Sequence, residues 1–226
     1  MIFSGHQPNF LPYMGVLYKM FMSDVFVLDD DVQYSRDGLH NSNFVKICGE
    51  RHRITVPVHV TLGDAINEVK ISYERDWQSK MLMTLNMNYR KAKHFDEGYE
   101  FVERYLGKKY DFLCDMNVDM LKEMVSRFGI GARIVIASID VPTKLKNNER
   151  NVFQCSKLGC DVYYSGVGGK AYNDEGMYER NGIAVVYSDF EPTPYKQLGK
   201  EFVPYLSVID YVMNNGFNLP VEWKKT

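Results

Sequence analysis

Apolar residues change their spacing several times along the chain, and the changes divide it into elements. A short apolar run at residues 1–4 predicts a strand, residues 14–22 space their apolar positions as a buried helix, and Val25-Phe26-Val27-Leu28 predicts a second strand. Strand, loop, helix and strand in that order form the start of a parallel sheet. Residues 44–47 and 53–60 flank Cys48-Gly49-Glu50 and predict a β-hairpin turning near Gly49, with a third strand over 66–73 joining it. Apolar spacings of three and four then predict helices over 77–92, 97–105 and 113–128, the last ended by Gly129 and Gly131. Strands at 133–137, 161–164 and 183–187, with a helix over 148–158, resume the parallel pattern, and a last helix spans 203–214. The expectation is a single α/β domain over 1–226: a Rossmann-like, mainly parallel sheet with flanking helices and an inserted β-hairpin and helical subdomain around 40–128.

Composition narrows the function classes. A formal net charge of -2, from 27 Lys and Arg against 29 Asp and Glu, gives no basic footprint for a long nucleic acid, whereas a nucleotide-sized anion needs only two or three local donors. Cys48, Cys114, Cys155 and Cys160 show no C-x-x-C spacing, so no metal site is assigned to them and reduced thiols are expected. The start MIFSGHQPNF is unlike a signal peptide and no run of 18 apolar residues occurs, so a cytoplasmic protein without membrane insertion is expected. Sixteen Tyr and thirteen Phe are a high aromatic load, most of it for packing, with some rings beside Gly, Pro or Asn available to line a pocket.

Three polar motifs fall where predicted strands end. In Ser4-Gly5-His6-Gln7-Pro8-Asn9-Phe10-Leu11-Pro12-Tyr13 the prolines fix a loop between strand and helix; His6, Gln7, Asn9 and Tyr13 are candidates for contacting a ligand there, with His6 donating a hydrogen bond to developing negative charge. The run Asp29-Asp30-Asp31-Val32-Gln33 places carboxylates at the end of the second strand. Because side chains alternate faces, at most two converge, and Asp29 and Asp31 are candidates for a general base or for holding Mg²⁺ with a nucleotide's phosphates. In Tyr164-Ser165-Gly166-Val167-Gly168-Gly169-Lys170 a strand enters a Gly-rich turn that is not a P-loop but exposes backbone amides, with Lys170 as positive charge. Asn41 and Asn43 ahead of the hairpin, and Tyr195 and Gln197 near the end, are further candidates for substrate contact. Ser207 has no neighbouring His, which argues against a hydrolase triad.

Several of these pieces together resemble the WbqC-like family, named after a protein encoded among bacterial surface-polysaccharide genes. The matching stretches are His6-Gln7-Pro8-Asn9-Phe10-Leu11-Pro12, Asp24-Val25-Phe26-Val27-Leu28-Asp29-Asp30-Asp31-Val32-Gln33, Ile54-Thr55-Val56-Pro57-Val58, Tyr164-Ser165-Gly166, Tyr195-Lys196-Gln197 and Leu206-Ser207-Val208-Ile209-Asp210, in order along nearly the whole chain. The resemblance implies a transferase of surface-polysaccharide (O-antigen) assembly that moves an amino acid such as glycine, or another acyl group, onto a sugar nucleotide or glycan. It also implies an aromatic residue and an arginine just ahead of the hairpin; this chain has Leu39-His40-Asn41-Ser42-Asn43 there, so an anion contact from that arginine has no counterpart at this place. Two alternatives stand beside the transferase: a non-catalytic protein binding a sugar nucleotide or a partner of the same pathway, and a nucleotidyltransferase-like enzyme. The last rests on the strand–His–helix opening, which resembles class I aminoacyl-tRNA synthetases although the second His of their His-x-Gly-His pattern is missing.

Overall fold

A computed structural model describes residues 1–223. Five strands form one fully parallel sheet: β1 (Ile2–His6), β2 (Val25–Leu28), β7 (Arg133–Ile136), β8 (Val162–Ser165) and β9 (Ala184–Tyr187), in the spatial order β7-β2-β1-β8-β9. Every residue of β2 is buried, as an apolar run covered on both faces requires, whereas edge strand β9 is largely solvent-facing. Helix α1 (Met14–Phe21) packs on one face with Phe26 and Leu28, in a core that continues into the residues between β2 and β7. Phe3, Val25 and Val27 face the other way, into a smaller core with Val152 and Cys155 of α6 (Asn147–Lys157) and Tyr178 of α7 (Glu175–Arg180).

The insertion begins with the hairpin β3 (Ser42–Ile47) and β4 (Glu50–Thr55), which turns through Cys48 and Gly49, both at positive φ (51° and 89°), the pair of left-handed residues that a two-residue turn of matching twist needs. The predicted strand over 53–60 is interrupted at Pro57, which has no amide hydrogen to give a ladder. Val58–His59 (β5) instead pairs with Lys70–Ile71 (β6), so the strand expected over 66–73 is two residues long and joins β5, not the hairpin. Residues 66–68 before it form a single 3₁₀ turn. Helices α2 (Trp77–Tyr89), α3 (Phe95–Leu106) and α4 (Leu113–Arg127) follow near their predicted bounds, and α4 ends on Gly129 at φ 67°, with the amides of Gly129 and Ile130 capping the carbonyls of Ser126 and Val125. A short helix, α5 (Ala137–Asp140), follows β7. The last helix, α8 (Val208–Asn215), starts five residues later than predicted, because Ser207 accepts from the Ile209 amide as its N-cap and Tyr205 before it is at positive φ.

Candidate functional site

All five strands run the same way, so the segments after β1, β2, β8 and β9 lie at one edge of the sheet. The chain leaves β1 toward β2 and leaves β8 toward β9, on opposite sides; between β1 and β8 the winding direction therefore reverses, which opens a crevice at the strands' carboxyl ends. A cavity of about 540 Å³ occupies that place, lined by Tyr13, Gly15 and Lys19 of the α1 region, Gly166 and Gly168 after β8, and Ser188 after β9, with Asp189 and Glu191 at its exposed side. A Cβ on Gly15 would come within 2.3 Å of the Tyr13 ring, so the glycine leaves room for that ring to form the wall.

Lys19 is the charge this cavity turns on. It is 9% exposed, and its ammonium donates to the Gly5 carbonyl at 2.8 Å, its one hydrogen bond among the described residues. Burial pulls its pKa down to about 8, with the Asp29 charge acting the other way. His6, at the end of β1, is pushed down to about 4 by burial and then by the Lys19 charge, so the ring is neutral at pH 7. Its Nδ1 lies 2.8 Å from the Gln7 carbonyl, which assigns the proton to Nδ1 and leaves Nε2 as an acceptor. A neutral ring with its one N–H spent in this way offers Nε2 as a hydrogen-bond acceptor, where the sequence suggested a donor.

Asp29 and Asp31 converge, as alternation along the chain requires, and what they meet is Arg150 of α6. Asp29 Oδ1 receives Arg150 Nε and Gln154 Nε2, both at 2.9 Å, and Asp31 binds the guanidinium tip. Burial raises the Asp29 carboxyl, while Gln154 and Arg150 counter the rise. Its Oδ2 lies 3.2 Å from where a Cβ on Gly5 would stand, a close approach that glycine makes possible. A divalent ion would have to displace the guanidinium from both carboxylates, so the pair does not fit the Mg²⁺ expected of it. Among the described residues no group of three or more His, Cys, Asp or Glu is arranged around a metal position. Asp30 turns away and caps α5, accepting from the Ser138 amide at 2.9 Å and hydroxyl at 2.5 Å.

The other candidates divide between the crevice and the scaffold. Asn43 is buried and donates to the carbonyls of Phe10 and Leu11, and Ser207 donates to Leu11 as well, so the loop after β1 is clamped from the hairpin and from α8. Asn9 lies in that loop with its Oδ1 buried and without a hydrogen-bond partner among the described residues. Asn41 bridges the Tyr34 hydroxyl and the Val56 carbonyl. Gln7 is half-buried, and Gln33 is exposed and pairs its backbone with Ala65. Tyr164 is buried under the crevice, Ser165 accepts from Asn173, and Gly166 reaches the cavity. Lys170 is exposed, its ammonium 5.4 Å from the centre of the Tyr187 ring, and contributes nothing to the cavity wall. Tyr195 donates to the buried Asp210 at 2.6 Å and Gln197 holds the Lys46 ammonium and the Val203 backbone, both away from the crevice.

The sequence model of the WbqC-like protein family matches residues 7–220. The chain belongs to that family. As a WbqC-like protein it is also similar to the uncharacterized protein Rv1507c of Mycobacterium tuberculosis, with 30% identity over 218 residues that cover 95% of this chain and 94% of the relative. The match takes in the loop after β1, the aspartate run and the crevice, and reaches both α6 and α8. Among the described residues of this WbqC-like protein no helix is long and apolar enough to cross a membrane.

Lys19, Arg150, Gln154 and Ser188 were not singled out by sequence reasoning. Lys19 carried a usable signal: it is the one charged residue in the otherwise apolar run 14–22. Arg150 carried none, since it stands in the polar run Asn147-Asn148-Glu149-Arg150-Asn151, which reads as a solvated helix face.

Proposed function

We propose that this WbqC-like protein is a transferase that moves an amino acid or other acyl group onto an aminated sugar, as its nucleotide or within a glycan, in the crevice between β1 and β8. The observation that carries this reading is the charge layout of the cavity: one buried ammonium, Lys19, at its floor, and the carboxylates of Asp189 and Glu191 at its exposed side. Such a site is complementary to a substrate carrying both an anionic group and an amine. In the step proposed, the acceptor's nitrogen attacks the acyl carbon, a C–N bond forms and the bond to the leaving group breaks. His6 Nε2 takes the proton lost by the nitrogen, and Lys19 stabilises the negative charge that collects on the leaving group, which then accepts the proton from His6. Lys19 thus takes the electrostatic part that the sequence suggested for Lys170, and Asp29, fixed by Arg150 across Gly5, holds the end of β1 beneath the two groups.

The test follows transfer of a labelled acyl group to an amino-sugar nucleotide, together with acceptor affinity, in the wild-type protein and in His6→Gln. The expected result is a loss of kcat with affinity kept, at the low end of the roughly 10²–10⁴ usual for a positioned base because burial holds the His6 pKa at about 4. Tight binding with no turnover in the wild-type protein would favour the non-catalytic reading instead.

A further inference from the structure

A second cavity, of about 320 Å³, adjoins the first, and Tyr13, Phe190 and Tyr205 line both. The two differ in chemistry. The second is walled by aromatic rings and prolines, among them Pro192, Pro194, Tyr211 and Trp223, and among the described residues its polar groups are uncharged apart from Glu222. The shared rings stand at steep angles to one another: Tyr13 and Phe190 at 70° with centroids 6.0 Å apart, Tyr13 and Tyr205 at 54° and 6.3 Å. These three side chains stand between the two spaces, which are therefore neighbours across a wall of rings. Asn215 and Asn218 also line it; their NH₂ groups donate to the Tyr211 and Asn215 carbonyls, so each Oδ1 is the acceptor offered to the N–H edge of a planar ring.

We infer that the aromatic cavity holds the nucleobase of a nucleotide whose phosphates reach Lys19, so that the protein recognises its substrate in nucleotide-linked form. The inference rests on the function proposed above and adds the class of carrier. Charge complementarity places the anionic end of the ligand on the Lys19 ammonium, at the floor of the first cavity and below the exposed carboxylates of Asp189 and Glu191. The aromatic walls place a flat heterocycle in the neighbouring space, where base–aromatic stacking is insensitive to which base is present. The two cavities together come to a size usual for a small-molecule site.

The test is calorimetric titration of the full chain with UDP, ADP and inorganic pyrophosphate. The wild-type protein is expected to bind both nucleotides at least tenfold more tightly than pyrophosphate. Tyr205→Ala, a change at a half-exposed ring, is expected to weaken nucleotide binding about tenfold and leave pyrophosphate unchanged, while Tyr205→Phe keeps the stacking and the affinity. Lys19→Met should weaken all three. Pyrophosphate binding as tightly as the nucleotides, or nucleotide affinity indifferent to Tyr205→Ala, overturns the nucleobase site while leaving the Lys19 cavity in place. Binding that depends on Tyr205 and not on Lys19 would fail the phosphate assignment, and no binding of any of the three overturns both.

Discussion

Replacing Lys19 by Met separates the cost of the buried charge from its use. In the unfolded chain the ammonium titrates at its ordinary value of 10.5, and burial lowers this to about 8 in the folded protein. A base whose folded pKa is lowered opposes folding fully below the folded value, and the penalty fades as pH rises through 8 toward 10.5. At pH 7 that penalty is about 3 kcal/mol, and by pH 9.5 it has shrunk by about 2 kcal/mol. Lys19→Met removes the charge and leaves the Gly5 carbonyl without its 2.8 Å donor, a loss of about 1–2 kcal/mol. The variant should therefore be more stable than the wild type at pH 7 by about 1–2 kcal/mol, and the advantage should vanish or reverse by pH 9.5. Urea denaturation of both proteins at pH 7, 8, 9 and 9.5 measures this directly, and titrating groups that do not feel the Lys19 charge cancel in the difference. A stability difference that does not change with pH, or a variant less stable at pH 7, would refute the picture of an ammonium buried for ligand binding at a cost to the fold.

Three further outcomes follow from the contacts around the crevice. Arg150→Met leaves Asp29 and Asp31 without their shared cation and should cost about 3 kcal/mol in a denaturant titration, whereas loss of under 1 kcal/mol would mark the pair as solvent-screened. Gly5→Ala sets a methyl group 3.2 Å from Asp29 Oδ2 and should destabilise by about 1 kcal/mol and lower activity more than stability, read as kcat against Tm. Tyr89→Phe removes the hydroxyl that donates to Asp210 and accepts from the Lys46 amide, leaving that buried amide unpaired and Asp210 with the Tyr195 donor, for about 2 kcal/mol with ligand affinity unaffected.

The parts legible in the sequence were those set by local chemistry. Four-residue apolar runs made buried strands, Cys48-Gly49 made the hairpin turn and Gly129 ended a helix, because each depends on its own residues and near neighbours. The parallel order of the strands then brought the motif after β1, the aspartate run and the Gly-rich turn to one edge, as ligand-bearing α/β sheets require. What was not legible depends on distant partners. Asn43 and Gln197 look on paper like ligand contacts, but β3 brings Asn43 against the loop it clamps and the chain folds Gln197 onto Lys46. A polar residue that braces backbone and one that grips a substrate have the same side chain, and only the fold tells them apart. Arg150 shows the converse: 119 residues separate it from Asp31, and nothing local marks it as the cation between two carboxylates.

The central claim, that the crevice between β1 and β8 binds the substrate through Lys19, is tested most directly by thermal unfolding of the wild type and Lys19→Met against sugar nucleotides, nucleoside diphosphates and amino acids. A ligand present at about a hundred times its Kd stabilises by about 2.7 kcal/mol, which for a chain of this size is a rise of roughly 5–10 °C in Tm. The account predicts such a rise with a nucleotide-linked sugar in the wild type and its loss in Lys19→Met; a rise of equal size in both proteins would contradict it.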